Sequence, residues 1–244
     1  MALAESPMRV FQRGDWPGPL VLRRGWARSE ARPWNDTVPD AVVRLVRGGT
    51  AFLQACTDRM IELEAPTVFS PPLAASARRT WEHAGYEEFL KLALMRRSLD
   101  EPVPAPDHLV VELDGSDIAG LLRIDRAAFP DFWRFDEHGV REALAATGRS
   151  SVFIIRDADG EPAAYAVIGY GHAISYLQRV AVHPDWQGRG MGRSLVRVSA
   201  RAARNHGARA MLLNTQYDNE PAMDLYRSEG FVQLNEPLAV LRFG

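Results

Sequence analysis

Cysteine is almost missing from this sequence. Cys56 stands alone among 244 residues. One cysteine cannot form an internal disulfide, which fits a reducing compartment. Charge imbalance is missing too: 29 Lys and Arg stand against 31 Asp and Glu, a net charge of −2. That argues against a surface made to coat nucleic acid. Long apolar runs are absent. The longest uncharged stretch, 162–178, contains Pro162, Gly169, Gly171, His172 and Gln178. Its alternation "AAYAVIGYGHAISYL" reads as two strands and a turn, not as a membrane helix. The opening "MALAESPMRVFQRGDWPG" lacks the apolar core of a signal peptide. There is no P-loop Gly-Lys-Ser/Thr and no G-x-G-x-x-G, so the common nucleotide motifs are excluded. The expectation is a cytoplasmic protein without a metal, a nucleic-acid partner or a membrane partner.

The clearest seam is "SLDEPVPAPD", with prolines at 102, 104 and 106. Closely spaced prolines stiffen the backbone and stop helices. The seam divides the chain into 1–100, a linker at 101–106, and 107–244. After it, "HLVVELD" reads as a strand. "SDIAGLLRIDRAAF" reads as a helix capped by Ser116 or Asp117, with Ile118, Leu121, Leu122 and Asp125 at helical spacing. An aromatic loop, "FPDFWRFD", leads to a second helix ended by Gly148. "SVFIIRD" and "EPAAYAVIGY" form a hairpin through Asp159-Gly160. "ISYLQRVAVH" is a strand, a long helix runs to Asn205, and strand, helix and last strand follow. The fold class is α+β, a mixed and largely antiparallel sheet flanked by helices.

The first hundred residues are less regular. "PGPLVLRRGWARSE" holds a strand, and "DAVVRLVRGGTAFLQACTDRMIELE" reads as one or two helices. Residues 77–97 parallel 222–243: helix, glycine, aromatic, then an apolar strand ending in arginine. Gly85 aligns with Gly230, Tyr86 with Phe231 and Trp81 with Tyr226. This is either an internal repeat or two unrelated helix–glycine–strand units.

The stretch "HPDWQGRGMGRSLV" sets three glycines directly before a helix. A helix begins with unpaired N–H groups and the positive end of its dipole, which together attract an anion. Glycine lets a phosphate approach the backbone closely. Gly188, Gly190 and Gly192 therefore suit a pyrophosphate turn, and Arg189 and Arg193 can add charge. A plain tight turn is the simpler alternative.

Gln187-x-x-Gly190-x-Gly192 after the apolar strand "LQRVAVHP", together with "NEPAMDLYRSEGF", resembles the GCN5-related N-acetyltransferase (GNAT) superfamily over about 107–244. The resemblance implies the GNAT acyltransferase fold, acetyl-CoA as co-substrate and an amine acceptor. It implies that the strand before the loop splays from its neighbour and that Val180, Ala181 and Val182 hold the pantetheine arm. The turn Gln187, Gly188, Arg189, Gly190, Met191, Gly192 and Arg193 would hold the pyrophosphate, with Asn214, Asn219 and Ala222 along the arm. Tyr226 would be the general acid near the thioester sulfur. Asn219, Ala222 and Tyr226 share one helical face, and Asn219 can also cap that helix. The alternative for Tyr226 is an aromatic packed on the sheet.

The fit breaks at Asn214. Members that acetylate peptide α-amines often carry a glutamate twelve residues before the tyrosine, and asparagine cannot act as a base. His172, Tyr176 and His183 are substitutes, each also readable as an ordinary polar residue. In the aromatic loop, Phe129, Phe132, Trp133 and Phe135 either cradle an acceptor or form a satellite core. Arg193, Arg197, Arg201 and Arg204 read as the solvated side of the long helix, opposite Leu195, Val198 and Ala202. The N-terminal part, with Trp81 in the tyrosine's place and only "RGGT" as a glycine pair, reads as an incomplete, non-catalytic GNAT-like domain. Two functions compete: an acetyl-CoA-dependent N-acetyltransferase, or a non-catalytic acyl-CoA-binding sensor. The oligomeric state is left open.

Overall fold

The computed structural model describes residues 9–113 and 117–244. Asp114 and Ser116, one of the two expected helix caps, lie outside the described residues. The chain forms two compact units, residues 1–92 with 236–244, and residues 93–235. The Pro-rich segment 101–106 thus falls inside the second unit, and the C-terminal strand falls inside the first.

The first unit opens with three short strands, β1 (Phe11–Arg13), β2 (Leu20–Arg24) and β3 (Ala27–Pro33), then β4 (Ala41–Arg47). All pair antiparallel in sequence order. Helix α1 (Thr50–Glu62) leads to β5 (Val68–Phe69), which runs parallel to β4. Helix α2 (Ala75–Glu82) precedes β6 (Glu87–Ser98). The expected one or two helices over 40–64 are corrected here: "AVVRLVR" is the strand β4. Its first three residues alternate buried, half-buried, buried, a period of two, and its β-branched valines favour strand. Helix begins only after Gly48 and Gly49. The core gathers Leu22, Val43, Phe52, Leu53, Met60 and Trp81.

In the second unit, β6 contributes residues 93–98. Next come β7 (Val111–Leu113), α3 (Ile118–Ala128), a 3-10 turn at Asp131–Trp133, and α4 (Glu137–Ala145). Three antiparallel strands follow: β8 (Arg149–Arg156), β9 (Pro162–Tyr170) and β10 (Ile174–Val182). Helix α5 (Met191–Asn205), β11 (Ala210–Gln216), α6 (Glu220–Ser228) and β12 (Val232–Gln233) complete it. Its strand order is β6–β11–β10–β9–β8–β7, with β12 beside β6. The last strand, β13 (Leu238–Phe243), pairs with β5 and with residues 87–92 of β6 in the first unit. Helices α5 and α6 pack on one side of the second unit's sheet around Leu195, Val196 and Met211. Helices α3 and α4 cover the other side around Leu121, Ile124 and Val140.

Local signals explain the helix starts. Asp117 caps α3 by accepting the Gly120 N–H, and Asp136 caps α4 by accepting the Gly139 N–H. Helix α4 ends at Ala145, before the expected stop at Gly148. The buried face of α5 is Leu195, Val196, Ser199, Ala200 and Ala203, whereas Val198 and Ala202 are only half-buried. The arginines opposite are not merely solvated. Arg193 and Arg197 reach the buried Glu229, and Arg201 donates to the Val103 carbonyl.

Candidate active site

Strand β10 is the centre of the site. It runs parallel to β11 for three pairs only, Ile174–Tyr176 against Ala210–Leu212. It then continues beside β9 to Val182 without pairing to Leu213–Gln216. A bulge between Leu177 and Arg179 marks the departure. Bulges bend a strand and increase its twist, so the two parallel strands open into a cleft. Val180 and Val182 pack toward α5 and α6, whereas Ala181 faces the α3–α4 side, so only its backbone can meet a ligand in the cleft. The Val182 carbonyl accepts from Gln187 Nε2 at 3.0 Å, which braces the loop against the strand end.

The loop ends in an open helix terminus. Gly188 and Gly190 have φ of 73° and 82°, the left-handed region that glycine favours. Gly190 is the N-cap of α5, no side chain caps the helix, and its first turn carries no acid. The first α5 bond runs from Ser194 N–H to the Gly190 carbonyl at 3.1 Å, so the N–H groups of Met191, Gly192 and Arg193 precede the ladder. The third glycine serves packing: a Cβ on Gly192 would stand 3.2 Å from Leu225 and 3.7 Å from Val182. The arginines are engaged. Arg189 lies over the Trp186 ring at 4.6 Å, and Arg193 Nε is 3.1 Å from Glu229. His183 caps the short 3-10 turn at Pro184–Trp186.

Helix α6 brings the other expected residues. Asn219 caps it, accepting the Ala222 N–H at 3.3 Å, and its amide nitrogen reaches Gln216. Ala222 is half-buried one turn on. Tyr226 is buried in the core that includes Val180 and Val182, with its ring edge-on to Phe231 at 5.7 Å. Burial pushes its phenol up to about 12, while the Arg179 cation pulls the other way. Asn214 is exposed on the part of β11 that has parted from β10. His172, just before β10, and Tyr176, near its start on the paired side of the bulge, are exposed.

Three residues in this region carried no expected role. Arg179, at the bulge, is held by both oxygens of the fully buried Asp125 at 2.7 Å each. Tyr165 O–H and Phe135 N–H also donate to that carboxylate, and Arg179 donates to the Trp133 carbonyl. Phe129 and Phe135 flank the guanidinium at 3.6 and 4.0 Å. Two of the four loop aromatics thus serve an internal cation, and Phe132 and Trp133 stack edge-on at 5.1 Å. Asp125 had a visible signal, an acid among apolar residues on one helix face. His108 is the third. Its backbone and ring both meet Ser194 of α5, a contact across more than 80 residues that no local pattern announces.

A splayed parallel pair, an uncapped glycine turn and a buried tyrosine on the next helix are joined by a family match. Residues 118–231 match the acetyltransferase (GNAT) family. This segment is a GNAT domain. The chain is 29% identical to a mycothiol acetyltransferase of Saccharomonospora viridis over 210 residues, which cover 75% of this chain and 65% of that protein. The match thus spans just under two thirds of that relative's length. Among solved structures, a GCN5-related N-acetyltransferase from Sphaerobacter thermophilus superposes with a TM-score of 0.58 at 20% identity, covering 93% of this chain and 80% of that one. A tandem GNAT protein from the clavulanic acid biosynthesis pathway gives 0.62 at 16% identity, covering 97% and 84%. These likenesses carry the fold, a mixed α+β sheet flanked by helices. The GNAT family is one of N-acetyltransferases that use acetyl-CoA. Among the described residues, no helix is long and apolar enough to cross a membrane.

Proposed function

We propose that the GNAT domain transfers an acetyl group from acetyl-CoA to a primary amine, by direct attack within a ternary complex. The observation that carries this reading is the opening of β10 from β11 into an uncapped helix terminus with a left-handed glycine cap. The residues suit the molecule. The free edge of β10 at Val180–Ala181 can bind an extended amide-bearing arm as an added strand does. The N–H groups of Met191 to Arg193 offer donors and a positive dipole end to a pyrophosphate. Asn219 and Ala222 line the same helix as Tyr226. The Val182 carbonyl and the Asn219 oxygen are already engaged, so in this reading they shape the cleft and leave the arm to their neighbours.

Acetyl-CoA supplies the activated acyl carbonyl. The chain supplies position and a proton. Tyr226 stays protonated at neutral pH, since burial raises its pKa to about 12. Its hydroxyl can therefore donate toward a developing thiolate. Thiols ionise near pKa ~8.5, so complete transfer is uphill and the hydroxyl acts chiefly as a positioned hydrogen-bond donor. Asn214 cannot take the amine's proton. Tyr176 lies where β10 and β11 are still paired, His172 lies just before that stretch, and His183 is used in a turn. The acceptor in this reading enters as the free amine or loses its proton to water.

The mycothiol acetyltransferase relatives favour a small-molecule amine over a polypeptide, with mycothiol-related amines first on the panel. The test is release of free thiol from acetyl-CoA across amines of increasing size, with the acetylated product identified by mass spectrometry. Turnover with any primary amine supports the reading. Tight acetyl-CoA binding with no turnover across the panel would replace it with the acyl-CoA sensor.

A further inference from the structure

Ser194 lies in the first turn of α5 and is fully buried. Its Oγ accepts the backbone N–H of Asp107 at 3.1 Å and that of His108 at 3.2 Å. A hydroxyl oxygen has two lone pairs and one proton. Both lone pairs are taken, so only the proton is left for the third neighbour, His108 Nδ1 at 3.0 Å. Ser194 therefore donates and Nδ1 accepts. A neutral imidazole whose Nδ1 accepts carries its proton on Nε2.

The Cε1 corner of this ring stands beside the glycine turn. Its Cε1 is 3.5 Å from the point where a Cβ on Gly190 would stand, and Nε2 is bonded to Cε1. Gly190 caps the helix end at which the pyrophosphate was placed above. We propose that His108 is a further ligand of that site, donating Nε2–H to a phosphate oxygen of acetyl-CoA. The inference rests on the acetyl-CoA reading and adds to it a residue from outside the glycine motif. Three contacts to one buried serine hold the backbone and the ring before any ligand arrives. A donor fixed in advance loses little entropy on binding, which is the advantage of preorganisation.

Two substitutions separate ligand contact from packing. His108→Asn sets an amide near the place of Nδ1, keeps a partner for Ser194 and removes the reach of Nε2. His108→Gln carries an amide N–H to about the place of Nε2. Calorimetric titrations would use acetyl-CoA and S-acetylpantetheine, which lacks the pyrophosphate. His108→Asn is expected to weaken acetyl-CoA binding about tenfold, the worth of one hydrogen bond to a charged group. His108→Gln should stay within about threefold of the natural protein, and S-acetylpantetheine should bind all three alike. Undiminished acetyl-CoA binding by His108→Asn overturns the proposal. So does an equal loss for S-acetylpantetheine, because the damage would then lie in the cleft itself. Nitrogen spectra of the natural protein give a reading that needs no variant. The Nε2–H form should be seen, with Nε2 shifting when coenzyme A is added. An Nδ1–H form, or an Nε2 unmoved at saturation, overturns the assignment. A natural protein that binds no acetyl-CoA at all refutes the parent reading and this one together.

Discussion

The two units use the same order of elements around a parallel strand pair and differ at the junction between strand and helix. In the first unit β4 meets β5 over two pairs, Ala41–Val42 against Val68–Phe69, then runs on beside β3. In the second, β10 leaves β11 after three pairs. Each departing strand carries a register shift against its antiparallel neighbour. Each later helix ends in the same way. Tyr86 N–H bonds to the Trp81 carbonyl across the left-handed Gly85, and Phe231 N–H bonds to the Tyr226 carbonyl across the left-handed Gly230. The rings stack edge-on in both, Trp81 on Tyr86 at 4.8 Å and Tyr226 on Phe231 at 5.7 Å.

The contrast begins after the departing strand. The second unit spends His183 to Gly190 on its turn, and Cβ atoms on Gly188 or Gly190 would meet almost nothing. The first unit has only Gly48 and Gly49, and a Cβ on Gly48 would stand 2.6 Å from the buried Phe52 ring. One junction leaves open space at a helix terminus; the other fills it with an aromatic side chain. A shared topology therefore gives one unit a candidate site and the other a core. The polar groups differ in the same sense. Near its register shift the second unit buries a carboxylate, Asp125, against the largely covered guanidinium of Arg179. The first buries a hydroxyl, with Ser29 Oγ donating to the Arg44 carbonyl.

The largest expected effect follows from that last difference. Asp125→Ala leaves the largely covered Arg179 charge without its carboxylate, and loss of one partner of a buried pair costs up to about 3–5 kcal/mol. Ser29→Ala removes only neutral hydrogen bonds, to the Arg44 carbonyl and the Cys56 thiol, each worth about 1 kcal/mol. Urea unfolding of both variants checks the ranking. Equal losses would mean that the ion pair is no more a keystone than the hydroxyl.

Catalysis should split the units next. Tyr226→Phe keeps the ring and removes the donor. Turnover is expected to fall about 10–100-fold, at or below the bottom of the range of about 10²–10⁴-fold for positioned proton transfer, because a phenol near 12 gives up its proton reluctantly. Trp81→Phe, at the matching place in the first unit, should leave turnover within about twofold, since no proton donor is lost. The pH dependence has a definite sign. The phenol's pKa is raised from 10.0 to about 12, so the neutral form is favoured in the folded state. Its contribution to stability is complete below pH 10 and is lost as pH rises toward 12. An alkaline fall in turnover below pH 10 must then come from another group, and Tyr226→Phe should retain it. Its disappearance in that variant would contradict the burial argument.

The glycines sharpen the comparison further. Gly190→Leu forces a side chain into φ of 82° at the turn, at a cost of about 1–2 kcal/mol in strain beside the steric intrusion. Acetyl-CoA affinity should fall at least about tenfold. Gly49→Ala, at an ordinary negative φ with nothing within 4 Å, should leave that affinity unchanged. Binding titrations on both decide it. Undiminished binding by a folded Gly190→Leu protein would move the pyrophosphate elsewhere.

Much of this was legible in the sequence because it is local. The glycine turn, the cap at Asn219 and the period-two strands each declare themselves within a few residues. What escaped is what distance creates. "AVVRLVRGGTAFLQAC" merged a strand and a helix, since valine-rich runs satisfy either period until a partner strand chooses. His108 and Ser194 meet across more than 80 residues of chain with no shared pattern. The arginines of α5 look solvated until Glu229 arrives from the end of α6. Asp125 was visible as an acid on an apolar face, but nothing local identified Arg179 as its partner. Nor could spacing reveal that 238–243 returns to the first unit, because pairing partners are a property of the folded sheet.

The smallest predicted effect tests the matched rings directly. Thr57 Oγ1 donates to the Leu53 carbonyl at 3.0 Å, which uses its only proton. The Tyr86 hydroxyl, 2.6 Å away, must then be the donor in their shared bond. Both groups are buried, and burial raises the Tyr86 pKa, so the phenol remains a fixed neutral donor inside the core. Tyr86→Phe removes one neutral hydrogen bond and leaves a Thr57 oxygen that still donates. The expected cost is about 1 kcal/mol, or about 2–4 °C in melting temperature for a chain of this size. Turnover and acetyl-CoA affinity should not change. Tyr226→Phe should do the reverse, with little loss of stability and a clear loss of turnover. Parallel thermal melts and steady-state assays on the two variants read the contrast. If Tyr86→Phe lowers turnover at unchanged stability, the first unit takes part in the chemistry and the division between a working and a packed copy fails.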